Sequence, residues 1–196
     1  MEFYHRPAYT SSYFRQSFES ARDYARSFVT PLSEDDLNRR PDPHTWNIAE
    51  CYDHMTVTGN QYLDPVIHIV NESYDKGPTG RGPYRHRFYV QWFIKLLLPP
   101  FKLKFKAPGS FQPRGNMNKA DILEGFLVLQ NEILIQLERA ADLHLGKIKV
   151  AHPLLPLIKL SISEVLAIID AHQKRHFWQA KQILYNIRNS ESSLIH

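Results

Sequence analysis

Four stretches of this chain repeat their apolar residues every three or four positions, the spacing of one face of an α-helix rather than of a strand. The first covers about 11–29, where Phe14, Phe18, Ala21, Ala25 and Phe28 recur before Pro31 stops it. The second follows Trp46 and a capping box of Asn47 and Glu50; its stripe of Ile48, Cys51, Met55, Thr58, Tyr62, Val66 and Ile69 predicts a helix over about 48–74. The third opens on Asn118 or Asp121 as cap and continues past Leu137, with Ile122, Phe126, Leu129, Ile133 and Ala140 on its buried side. The fourth follows a capping box of Ser161 and Glu164 and carries Val165, Ile168, Ile169, His172, His176, Gln179, Ile183 and Ile187 on one face. A short helical turn is expected after Ser33, because a serine cap followed by three acids suits a helix N-terminus.

The connections constrain the arrangement further. Residues 76–117 and 143–160 hold eight of the thirteen prolines, so neither segment continues a helix. Antiparallel neighbours need only a few linking residues; a link of about forty implies a crossover that leaves the second and third helices parallel. The expectation is one all-α domain over residues 1–196, a four-helix bundle of up-down-down-up type with 76–117 as its crossover.

Charge is unevenly spread along this pattern. The net +4 hides a run from 76 to 120 with ten basic and no acidic residues, interleaved with Tyr84, Phe88, Tyr89, Trp92, Phe93, Phe101, Phe105 and Phe111. Such a run can bind phosphate backbones, lie in an anionic membrane interface, hold an anionic substrate as a lid, or pack its aromatics on the bundle and offer its cations to solvent or a partner subunit. Phe88–Leu98 suits a short amphipathic helix ended by Pro99-Pro100, and the apolar run Leu96–Phe101 is expected to cover a helix face or join a homodimer interface. The lone Cys51 excludes a disulfide framework and a cysteine zinc cluster. With no secretory-type apolar stretch near Met1, a cytoplasmic location is expected.

The remaining signal is histidine. His172 and His176 stand one turn apart within the fourth helix's apolar stripe, and two imidazoles so placed can direct nitrogens at one metal ion. Two core histidines hydrogen-bonded to neighbours would give the same spacing. A third ligand would come from His54 or His68, which share a face of the second helix about 21 Å apart along its axis. His54 is preferred, being nearer a bundle end, although counting residues along antiparallel helices sets it about two turns from the pair.

Two segments carry a resemblance. Pro41-Asp-Pro-His-Thr-Trp-Asn-Ile-Ala-Glu-Cys-Tyr-Asp-His54 resembles the opening motif of the DinB/YfiT-like superfamily, and Ser163-Glu-Val-Leu-Ala-Ile-Ile-Asp-Ala-His-Gln-Lys-Arg-His176-Phe-Trp-Gln179 resembles its last helix. Motif order, helix count and the long crossover extend the similarity over most of the chain. It implies that His54, His172 and His176 bind a divalent metal, zinc or nickel first, iron or manganese next. The implied activity is that of a metal-dependent hydrolase or a transferase using a low-molecular-weight thiol. Its His152-Pro153 fits a segment common in such proteins, whereas Pro156 and Lys159 stand where glycine is usual.

Other candidates read more plainly. The string His172-Gln-Lys-Arg-His176 lacks the glutamate of a metalloprotease helix. Glu50 is used in capping, Asp53 and Asp170 are expected to face away, and Arg175 is expected at the surface or in a salt bridge. Thr58 and Gln179 share the ligand faces. His152 is expected to be solvated and Cys51 to be a core residue. A reading of another class also stands: a non-catalytic interaction protein that binds an anionic partner through the basic crossover.

Overall fold

Helix boundaries in the computed structural model follow the capping residues. It describes residues 7–73, 76–100, 106–115 and 117–192. The expected helices run as α1 (Ser11–Val29), α3 (Ile48–Ser73), α5 (Lys119–Arg139) and α6 (Ile162–Ser192), with the short α2 (Glu34–Asn38) after Ser33. Asn47 and Glu50 exchange side-chain and backbone hydrogen bonds at 3.0 and 2.8 Å. Ser161 and Glu164 do the same at 2.9 and 3.2 Å. Asn118 caps α5 by accepting from the Asp121 N–H at 2.9 Å. These bonds satisfy N–H groups that a helix start otherwise leaves without partners.

The crossover carries its own structure. α4 (Phe88–Leu97) packs on α6, and a single 3-10 turn occupies Gly109–Phe111. Leu97 is buried and Leu96 and Leu98 partly so, which makes this run a cover for a helix face as expected. Phe101, Lys102, Lys104 and Phe105 lie outside the described residues.

One element was not expected of an all-α chain. Residues 143–160 contribute β1 (Lys149–Ala151), paired antiparallel with β2 (Lys159–Ser161) in the register Val150 opposite Leu160. The fold is therefore mainly helical with a two-stranded sheet beside the start of α6.

Helices α3 and α1 each pack against both α5 and α6. Two core clusters divide the interior between them. Phe14 and Phe18 of α1 join Leu63, Val66 and Val70 of α3, Ile133 and Leu137 of α5, and the first turns of α6. Ala25 and Val29 of α1 join Ile48, Cys51 and Met55 of α3, Ile122 and Phe126 of α5, and Ala180 and Ile183 of α6. The second half of α6 thus lies along the first half of α3. Within α3 the inward stripe differs from the expected one late in the helix, where Leu63 and Val70 are buried and Ile69 only partly.

Candidate metal centre

His54, His172 and His176 each offer one ring nitrogen to a common point, all within 4.8 Å of one another. Nε2 of His172 lies 3.1 Å from Nε2 of His54 and 3.1 Å from Nε2 of His176. The two-turn offset obtained by counting residues assumed that α6 ends level with the start of α3. It runs farther. With Ile183 and Ile187 packed beside Ile48 at the start of α3, α6 still continues to Ser192, beyond that end of α3. The overhang brings the middle of α6 level with His54. His68 takes no part; it is exposed and pairs with Glu72 at 3.2 Å.

The tautomer of His54 follows from its partners. Nδ1 lies 2.5 Å from the backbone carbonyl of Phe111, which can only accept, so Nδ1 carries the proton and Nε2 presents a lone pair. Thr58 Oγ1 is also 3.3 Å from Nδ1. With His54 Nε2 an acceptor, a proton on His172 Nε2 can point along only one of its two short contacts. Three lone pairs around a cation suit the cluster better. Zinc–nitrogen bonds of about 2.0–2.1 Å in a tetrahedral site set ligand nitrogens about 3.3 Å apart, close to the spacings seen. The residues present therefore fit a divalent ion and would leave coordination positions for water or substrate.

Electrostatics act in the same direction. Burial lowers the pKa of His54, against smaller raising effects from the Phe111 carbonyl and Asp53. His172 and His176 are pushed well below the usual histidine value, first by burial, then by the neighbouring imidazoles and the Arg175 cation. All three rings are thus kept neutral, the form that binds a metal. The Trp46 ring lies tilted against the cluster, its centroid 4.7 Å from that of His54 and 5.9 Å from that of His176, covering it on that side.

The cluster borders a cavity of about 1160 Å³, whose wall includes Trp46, Tyr62, Phe93, Phe111, Arg175 and Gln179. Thr58 also lines it, so both polar residues placed on the ligand faces by spacing reach the cavity. Two expectations are corrected here. Arg175 is not a surface residue: it is buried in the cavity wall, its guanidinium 3.4 Å from the Leu96 carbonyl. His152 is not simply solvated. Its Nδ1 accepts from the N–H groups of Leu154 and Leu155, so Nε2 carries the proton and donates to Tyr62 Oη at 2.9 Å. It ties the turn between β1 and β2 to the cavity wall.

The remaining residues lie where the spacing put them. Glu50 is used in its cap and in an ion pair with Arg40 at 2.5 Å. Asp170 holds Tyr13, Ser17 and Lys174. Cys51 is fully buried, and burial pushes its thiol pKa far up, which excludes a reactive thiolate. Asp53 points away from the imidazoles, as expected, yet it is buried, paired with the exposed Arg114. The Phe111 carbonyl was beyond sequence reasoning, because a backbone acceptor has no side-chain signature. A second cavity of about 980 Å³, beside Val70 and Leu143, has no histidine among its described lining residues.

The model of the DinB superfamily matches residues 17–180, a span that contains all three histidines and both capping boxes of the helices that carry them. No curated protein and no solved structure matches the chain. With the family model covering most of its length, the chain belongs to the DinB superfamily.

Proposed function

We propose that this protein is a metal-dependent enzyme whose divalent ion, zinc or nickel in first place, is held by His54, His172 and His176. The observation that carries the reading is the convergence of the three Nε2 atoms, with the Phe111 carbonyl fixing His54 in the tautomer that leaves its nitrogen bare. A divalent ion so held supplies a Lewis acid and lowers the pKa of a water or thiol bound to it. Around it, burial and Arg175 keep the imidazoles neutral, Trp46 limits access of water, and the cavity orients a substrate by its aromatic walls.

Of the two reaction classes, transfer to or from a low-molecular-weight thiol is favoured over hydrolysis. The one carboxylate among the described lining residues is Asp42, which accepts from Thr45 Oγ1 and the His44 N–H in its own loop. Among the described residues lining the cavity, no carboxylate stands by the histidines as a general base for water. A thiol, far more acidic than water, does not require one. On this reading the scaffold is a single up-down-down-up bundle over residues 1–196, supported by the way the two core clusters divide the halves of its four long helices. The lone, buried Cys51 supports a cytoplasmic setting.

Metal analysis of protein purified without a histidine tag tests the proposal. Stoichiometric zinc or nickel is expected, lost in His54→Ala and His172→Ala while helicity is retained. Folded, metal-free protein that takes up no added zinc, nickel, iron or manganese would overturn it.

A further inference from the structure

The histidine cavity reaches the surface beside α4 and the turn between β1 and β2, and the outer side of these two segments is apolar. α4 buries Val90, Ile94 and Leu97, but most of its remaining surface is aromatic: Phe88 is 84% exposed, Trp92 63% and Tyr89 42%, with Phe93 at 36%. The turn presents Leu154, Leu155 and Ile158 and, at its tip, Leu157, which is 98% exposed. Arg87 holds the two segments together. Its guanidinium donates to the Lys159 carbonyl at 2.6 Å and pairs with Glu164 at 2.5 Å. Phe93, Leu97 and Leu154 also line the cavity, so the apolar surface continues from the outside into its mouth.

An exposed apolar surface of this kind marks a contact with something. Charge narrows the choice. Residues 76–120 contain no acid, and neither do residues 143–163. Arg85, Lys95 and Lys159 are exposed along the same two segments. A two-fold contact with a second copy would set this cationic face against itself, with no carboxylate from either segment to offset it. A nucleic acid would meet the cations and some aromatics, but leucines and an isoleucine at a turn offer it neither a phosphate contact nor a stacking platform. An anionic bilayer matches both features. Leucine and aromatic side chains enter the boundary between headgroups and acyl chains, tryptophan and tyrosine settle at headgroup level, and cations meet the lipid charge.

We propose that the face formed by α4 and the β1–β2 turn docks on an anionic lipid surface, setting the cavity mouth at headgroup level. No described helix is long and apolar enough to cross a membrane, so this contact is peripheral. The proposal does not depend on the metal reading, and the two are tested by different measurements.

The test is sedimentation of the full chain with vesicles of phosphatidylcholine alone and of phosphatidylcholine with phosphatidylglycerol as the minority component. Binding is expected to the second and not to the first, weakening as salt rises. Lys95→Glu with Lys159→Glu should lower the partition coefficient about tenfold or more, and Trp92→Ala with Leu157→Ser by at least about tenfold. These side chains are exposed, so helicity and metal content should not change in either variant. Equal binding to both vesicle types, no binding to either, or variants that bind like the parent would overturn the proposal. A dimer abolished by Leu157→Ser would assign the face to a second copy, and heparin retention lost in the lysine variant without any vesicle binding would assign it to a polyanion. Either result also overturns it.

Discussion

Asp53 follows the site from the far side of the helix. Its carboxylate accepts from the Arg114 backbone N–H at 2.5 Å and from the guanidinium at 2.9 and 2.5 Å. Arg114 is three residues beyond Phe111, whose carbonyl fixes His54, so this ion pair anchors the loop that sets the tautomer. Asp53→Ala is expected to cost about 1–3 kcal/mol of stability and, by loosening Phe111, to weaken metal binding about 10–100-fold. Thermal melts and a chelator-competition titration would measure the two effects. A stability loss with unchanged affinity would show that Asp53 does not act through Phe111. At this scale the sequence was informative about side chains and blind to the backbone. The three histidines were legible from helical spacing and resemblance, whereas the Phe111 carbonyl and the burial of Arg175 depended on where the crossover settled.

Gly59 of α3 faces Leu129 of α5. A Cβ built there would collide with Leu129 Cδ2, so the Leu129 side chain of α5 packs directly on the α3 backbone. Gly59→Ala should therefore destabilise by about 1–3 kcal/mol through overpacking, and Leu129→Ala by about 2–5 kcal/mol through the cavity it leaves. In the double variant the new methyl occupies the vacated space, so its destabilisation should fall short of the sum by about 1 kcal/mol or more. Urea denaturation of all three variants measures this, and strict additivity would refute the contact. Long elements were read correctly from the sequence because each repeats its period over several turns and carries its own cap. The hairpin of β1 and β2 was missed for the opposite reason: each strand is three residues long, too short to display alternation.

Across the molecule, acid should act in two stages. His86 is buried beside Tyr9, the ring centroids 4.2 Å apart, and burial lowers its pKa to about 4. In the unfolded chain it titrates near the ordinary value of about 6.5. Between those two values the unfolded state binds the extra proton, so stability falls as pH drops from about 6.5 to about 4. Glu164 has the other origin. It is desolvated, which alone would raise its pKa, but bonds from Arg87 and the Ser161 N–H outweigh that and hold it down at about 2. Its contribution is fully present above the unfolded carboxylate range near 4.3 and is lost as pH falls toward 2. Denaturation measured as a function of pH should show His86→Phe removing part of the first decline and Glu164→Gln part of the second. A first decline identical to the parent in His86→Phe would contradict the burial argument.

What the sequence determined by itself is whatever repeats or acts locally: the four long helices, their caps, the segregation of charge into the crossover, and two histidines one turn apart. What only the tertiary structure decided is relative position. The overhang of α6 past α3 brings His54 to the pair, the crossover delivers the Phe111 carbonyl, and α4 and the hairpin join into one apolar, cationic face. Those outcomes depend on contacts between residues more than fifty positions apart, whose geometry is set by packing and has no counterpart in local spacing.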